Sequence, residues 1–170
     1  LIAAIDGSQR GDITETTWAV RGTEFGYSSP LLDGTRIYQL DNSSRLKAID
    51  AETGEELWSQ RLGRLQKAPP VMADGKIYVG TDGGSFYIIR PLADRAEILS
   101  EVELPDSTES CCGSEGTPEQ VLAGAAVSRG RIFFVSSDAV YAIGSAQPQP
   151  VTGFAVDEPA PVGQGAATHV

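Results

Sequence analysis

Short runs of alternating apolar and polar residues return along this chain in the same order. Arg36-Ile37-Tyr38 recurs as Lys76-Ile77-Tyr78 and again as Arg131-Ile132-Phe133. Each copy follows a glycine turn, Asp33-Gly34, Asp74-Gly75 or Arg129-Gly130. Before each turn stands a strand of small residues: Ser29-Pro30-Leu31-Leu32, Pro69-Pro70-Val71-Met72, and more loosely Ala125-Ala126-Val127. Downstream comes a second apolar strand, as Leu46-Lys47-Ala48-Ile49-Asp50, Phe86-Tyr87-Ile88-Ile89-Arg90 and Val140-Tyr141-Ala142-Ile143-Gly144. A period of about forty residues made of short strands is the pattern of a propeller blade, so the chain reads as all-β, a fragment of a β-propeller.

Alternation and turn chemistry place strands at about residues 1–5 and 15–21, then a complete four-strand unit near 28–32, 36–41, 45–50 and 55–62. A second unit has strands at about 68–73, 76–82, 85–90 and 97–104, with Asp82-Gly83-Gly84 as its central hairpin turn. A third, at about 123–128, 131–136 and 139–143, stops without a fourth strand. The loops within units are short and rich in turn formers, which makes each unit an antiparallel meander. Thr117 to Leu122 has room for one helical turn at most. The interval from Pro105 to Leu122 is an insertion relative to the other copies, and long propeller loops lie at a face where function sits. From Ser145 onward Pro, Gln, Gly and Ala dominate, as in an extended linker. The expected organisation is therefore a partial propeller over 1–144, holding the end of one blade, two full blades and an incomplete one, and a linker over 145–170 leading to a further domain. Closed propellers have about four to eight blades. The remaining blades are expected upstream of residue 1.

Composition narrows the function without naming it. The 170 residues are 41% apolar and 21% charged, which suits a domain with a real core. The net charge of −10 repels phosphate backbones and anionic lipid, so nucleic acid and a peripheral membrane surface are poor partners. No apolar run is long enough for a membrane helix, and no secretion leader is visible.

Residues Ala48, Asp50, Thr53, Gly54, Glu56 and Trp58 spell Ala-x-Asp-x-x-Thr-Gly-x-Glu-x-Trp, which resembles the blade signature of the quinoprotein-like, pyrroloquinoline-quinone repeat propellers. A degraded copy stands at Ala4, Asp6, Gly11 and Trp18. The second full unit departs from it, with Arg90 in the place of Asp50 and no Trp near 98–102, and the third has Gly144 there. The resemblance covers about residues 1–144 and implies the closing blades of a ring of seven or eight, in which the indole docks on the neighbouring blade. It also implies a bacterial protein of the periplasm or the extracellular space. Two kinds of function go with it: quinone-dependent alcohol or sugar dehydrogenases that hold pyrroloquinoline quinone and calcium, and blades without a cofactor in outer-membrane assembly lipoproteins or in repeat domains attached to other modules.

Candidate chemistry is sparse. Cys111 and Cys112 are the only cysteines and are adjacent. Their α-carbons, about 3.8 Å apart, fall below the usual disulfide range of about 4.4–6.8 Å, so a bridge would close a strained ring. The pair is a loop-stiffening bridge or two thiols, while the resemblance adds that quinone-dependent alcohol dehydrogenases set such a vicinal disulfide against their cofactor. His169, the single histidine, stands in the tail, which leaves residues 1–144 without an imidazole for nucleophilic catalysis. Gly83-Gly84 reads as a hairpin rather than a phosphate loop. Glu101 and Glu103 share one face of a strand and read as its solvated side, and Asp41-Asn42 and Asp82-Gly83 as turns. The expectation is a scaffold without catalytic residues or cofactor, binding a protein or extended ligand on a propeller face. Its alternative is part of a quinone-dependent dehydrogenase, and a third reading is a purely structural spacer.

Overall fold

A computed structural model describes residues 1–108 and 116–144. Among these residues there are thirteen strands and no helix. Strands β1 (Ile2–Ala4) and β2 (Trp18–Val20) pair with each other. Strands β3 (Leu31–Asp33), β4 (Arg36–Leu40), β5 (Arg45–Asp50) and β6 (Glu56–Arg61) form a four-stranded sheet. A second such sheet holds β7 (Val71–Ala73), β8 (Lys76–Gly80), β9 (Ser85–Pro91) and β10 (Ala96–Glu103), and a three-stranded one holds β11 (Ala126–Ser128), β12 (Arg131–Val135) and β13 (Val140–Gly144). Every strand pairs antiparallel with its neighbour in sequence. These are four blades of a β-propeller fragment, numbered here first to fourth.

The repeat survives at the level of cross-strand partners. Tyr38 faces Ala48, Tyr78 faces Ile88, and Phe133 faces Ala142. One step along, Ile37 faces Ile49, Ile77 faces Ile89, and Ile132 faces Ile143. Because successive side chains leave a strand on opposite faces, these pairs divide each blade into a side that looks forward and a side that looks back. Tyr38, Leu40, Leu46, Ala48 and Trp58 of the second blade pack with Ile77, Val79, Tyr87 and Ile89 of the third. The other side of the third blade, with Tyr78 and Phe86, packs with Ile132 and Phe134 of the fourth. Phe134 stacks on Phe86 with ring centres 4.1 Å apart and on Tyr141 at 5.0 Å.

Local chemistry moves several boundaries from where alternation put them. The strand expected at about 28–32 is Leu31–Asp33, because Pro30 has no N–H to give a ladder. Its turn is Gly34-Thr35 rather than Asp33-Gly34, since Asp33 is still paired, with Arg36. The equivalent two-residue turns are Asp74-Gly75 and Arg129-Gly130, in which all four residues have positive φ, between 50° and 70°. That is the demand of a type I′ hairpin. The strand expected at 15–21 contracts to Trp18–Val20. No helical turn forms over 117–122, where Pro118 and Val121 instead make isolated bridges to Asp106 and Ser136.

Phe134 is 2% exposed and held between two rings, whereas Leu57 on the edge strand β6 is 39% exposed. Phe134→Ala is expected to cost about 3–5 kcal/mol, and Leu57→Ala under about 1 kcal/mol. Urea denaturation of both variants checks this.

Candidate functional site

The blade motif is built outward from one carboxylate. Asp50 ends β5, and its Oδ1 accepts the N–H groups of Glu52 and Thr53, each at 2.9 Å, and the Thr53 hydroxyl at 3.0 Å. These bonds, those from Thr53 foremost, hold the Asp50 carboxyl below its ordinary pKa. The Thr53 hydroxyl oxygen accepts the N–H of Glu55, and the N–H of Gly54 returns to the Asp50 carbonyl. The resulting turn needs φ of +77° at Gly54, where a Cβ would stand 2.7 Å from the ring of Trp18. The indole of the first blade thus lies on the turn of the second, and its Nε1–H donates to the Ala51 carbonyl at 2.9 Å. Glu56 closes on the buried Lys47 at 2.6 Å.

Trp58 repeats the arrangement one seam later, donating its Nε1–H to the Leu92 carbonyl of the third blade at 3.1 Å. The guanidinium of Arg36 donates to the same oxygen at 3.1 Å. The third blade has no Asp-x-x-Thr-Gly there, yet the dock persists because its acceptor is main chain. In the third blade the place of Trp58, which pairs with Ala48, is held by Ser100, which pairs with Ile88. The seam from third to fourth blade is cemented by the Phe86, Phe134 and Tyr141 stack instead.

Opposite these docks lies the edge where the turns 41–44, 81–84 and 136–139 leave the sheets, together with the links 62–70 and 104–125. Asp41 Oδ1 accepts the N–H groups of Ser43 and Arg45 and the Ser43 hydroxyl. Asp82 pairs through Oδ2 with Lys67 at 2.9 Å, while its buried Oδ1 has no partner. That pairing raises the Lys67 ammonium pKa. The insertion is fastened at both roots. The Ser107 hydroxyl and the Thr108 N–H donate to Asp138 at 2.8 Å, and the Glu119 N–H reaches back to the Pro105 carbonyl. The buried Glu119 carboxylate accepts the hydroxyls of Ser136 at 2.5 Å and Tyr141 at 2.8 Å. Two glycines make room: a Cβ on Gly80 would sit 2.3 Å from Val121, and one on Gly84 2.3 Å from Pro118.

Glu119 and Asp138 had no motif to reveal them. The available signal was Gly80, standing inside a strand where the second blade has Leu40. Glu101, expected on a solvated face, is exposed but also lies 2.6 Å from the Tyr87 hydroxyl, which has the Leu62 carbonyl at the same distance. Cys111 and Cys112 lie outside the described residues, as do His169 and the segment 145–170. Among the described residues no three of His, Cys, Asp and Glu converge to hold a metal ion.

Gly54→Ala combines a disallowed φ with a backbone-locked clash on the Trp18 ring, whereas Gly34, at φ +57°, has open space around it. Gly54→Ala is therefore expected to cost more than Gly34→Ala, by about 1–3 kcal/mol. Trp58→Phe, which keeps most of the ring but loses the N–H, should cost about 1 kcal/mol. Denaturant midpoints of the three variants check the order.

Burial and then Glu101 push the Tyr87 hydroxyl up to about 12, and burial and then Glu119 do the same for Tyr141. Both are raised above the ordinary tyrosine value near 10, so the fold favours the neutral phenol. Their stabilising contribution is complete below about pH 10 and is lost as pH rises through about 12. Ultraviolet difference titration should show both phenols ionising only as the fold opens, with Glu119→Gln bringing the Tyr141 step down.

Residues 1–96 match the family described as outer membrane protein assembly factor BamB. The BamB of Alkalilimnicola ehrlichii is 38% identical over 65 residues, 35% of this chain and 17% of that protein. The crystal structure of BamB from Moraxella catarrhalis superposes with a TM-score of 0.60 at 13% identity, covering 76% of this chain and 36% of the other. A quinohemoprotein alcohol dehydrogenase from Pseudomonas putida HK5 gives 0.54 at 16% identity, covering 76% and 20%. At such identities the structural likeness concerns the fold. This chain spans only a minor part of each of these proteins. With more than half of its length matched by that family, the chain belongs to the family of the outer membrane protein assembly factor BamB.

Proposed function

We propose that this chain is part of a non-enzymatic propeller scaffold of the bacterial periplasm, one that binds a protein or an extended polypeptide on its loop edge and serves the assembly of outer-membrane proteins. Further blades complete its ring, and it works without quinone or calcium. The observation that carries the reading is the insertion between the third and fourth blades. One root, Ser107-Thr108, donates to Asp138, and the other, Glu119, accepts the Ser136 and Tyr141 hydroxyls, all charge-assisted hydrogen bonds, so the insertion springs from a fixed base, as a contact surface requires. The carboxylates that a catalytic edge would aim at a substrate are committed to turns, a lysine or hydroxyls: Asp41 to Ser43 and Arg45, Asp82 to Lys67, and Asp138 to Ser107. The family match over residues 1–96 and the assembly role in the relatives' name supply the biological setting.

The dehydrogenase reading keeps one observation in its favour, the adjacent Cys111 and Cys112. In the bacterium that makes the protein, deleting its gene is expected to lower the amount of folded outer-membrane β-barrel proteins. Asp138→Ala should give a partial version of that loss with the circular dichroism of the fold retained. Normal barrel levels, with alcohol-dependent dye reduction that needs added quinone and calcium, would overturn the scaffold in favour of the enzyme.

A further inference from the structure

By cross-strand partner, β6 and β10 are the same element one repeat apart. Ile49 and Ile89 are faced by Glu56 and Ile98, Leu46 and Phe86 by Gln60 and Val102, and Arg45 and Ser85 by Arg61 and Glu103. Each strand also carries one leucine outside the register, Leu57 and Leu99, at a bulge that both share. Both strands are the outermost of their sheets, with no further strand on the outer side among the described residues.

The two bulged leucines are alike, 39% and 38% exposed. The rest of the edge is not. Where the second blade has the polar Glu56 and Gln60, the third has Ile98 and Val102, 42% and 41% exposed. Ile98 pairs with Ile89, on the side that packs against the second blade, so its exposure is not that of an end left open. Sheet edges are ordinarily guarded by short length, proline or lysine. Strand β6 has six residues and closes on Arg61, opposite Arg45. Strand β10 has eight residues and holds no Pro, Lys or Arg. Its charges are of one sign, the exposed Glu97, Glu101 and Glu103. Among the described residues the one ion pair these carboxylates make is that of Glu97 with Arg90.

Alternation sorts the side chains by face. Glu101 and Glu103 pair with Tyr87 and Ser85 on one face, and Val102 pairs with Phe86 on the other. An extended segment along the outer side of β10, basic at every second residue and aliphatic between, would set cations beside Glu101 and Glu103 and an apolar group beside Val102. Its main chain would take up the outward N–H and C=O groups of the edge.

We propose that the outer edge of β10 is a docking strand for an extended segment of another protein in which Lys or Arg alternates with aliphatic residues, added to the third blade as a fifth strand. Charge selects this occupant over a second copy of the chain. Two β10 edges side by side would set three carboxylates against three, with no cation on either strand. The surface is separate from the loop edge, and the proposal is independent of the scaffold reading.

The natural full-length protein is titrated with a fluorescent peptide of alternating Lys and Val, as long as β10, and binding is read by anisotropy and by hydrogen exchange. The peptide is expected to bind and to protect the amides of β10. The same peptide N-methylated at every residue, which has no main-chain N–H, and a Glu-Val peptide should each bind at least about tenfold more weakly. Val102→Gln combined with Glu103→Arg, which installs the residues of the second blade, should weaken binding about tenfold while circular dichroism is unchanged. Absence of binding by the Lys-Val peptide, equal binding by its N-methylated form, or full binding by the double variant would overturn the proposal. So would protection confined to the loop edge, or a dimer of the protein cross-linked from β10 to β10, which would give the edge to a second copy. The scaffold reading survives each of these results, because its own test is the level of folded barrels in the cell.

Discussion

A sheet that is apolar on both faces must be covered on both, and this requirement organises the whole molecule. In the third blade, Ile77, Val79, Tyr87 and Ile89 go one way while Tyr78 and Phe86 go the other. A strand with a single buried face would have shown polar residues at every second position. Here β8 is apolar throughout, Ile-Tyr-Val-Gly after its first lysine, and its last four residues are all buried. Such a sheet is insoluble alone and stable only in a stack, the general condition of repeat architectures. Polar residues are thereby driven to the two edges where strands turn, and function must be sought there.

The seams show how repeats diverge without losing their geometry. An indole donating to a main-chain carbonyl depends on where the acceptor's backbone runs and hardly on its side chain. The turn of the second blade, Asp-x-x-Thr-Gly, and the quite different one after Arg90 can therefore both receive a tryptophan, at Ala51 and at Leu92. Where the tryptophan is absent, at Ser100, the load of the seam to the fourth blade passes to a stack of three rings. The same logic governs two buried glutamines, for Gln39 within β4 reaches the carbonyls of Ser28 and Leu40 while Gln66, in the link before β7, reaches the equivalent carbonyls of Ala68 and Gly80.

These properties explain what was legible in the sequence. Periodic apolar positions and two-residue turns are set by local rules, and they located the blades and most strands. The blade signature was legible because Asp50, Thr53 and Gly54 act within one turn, over a span of a few residues. Boundaries beside Pro30 slipped because one missing N–H outweighs the alternation around it. The anchors Glu119 and Asp138 were silent for a different reason. Their partners are 17 to 31 residues away, on another blade or across the insertion, and no spacing within a single repeat encodes such contacts.

The glycines of the third blade tie this divergence to the loop edge. In the second blade the position of Gly80 is filled by Leu40, which is completely buried. In the third the side chain is given up and Val121, at the end of the insertion, occupies the space. Pro118 does the same over Gly84, where a positive φ already favours glycine. The insertion thus fills gaps that the blade leaves open, and its return segment becomes part of the seam between third and fourth blades. A loop whose base is built into the core can change the residues beyond that base without loosening the base itself. With the sheets committed to one another, that is how this edge can vary in sequence without disturbing the stack beneath it.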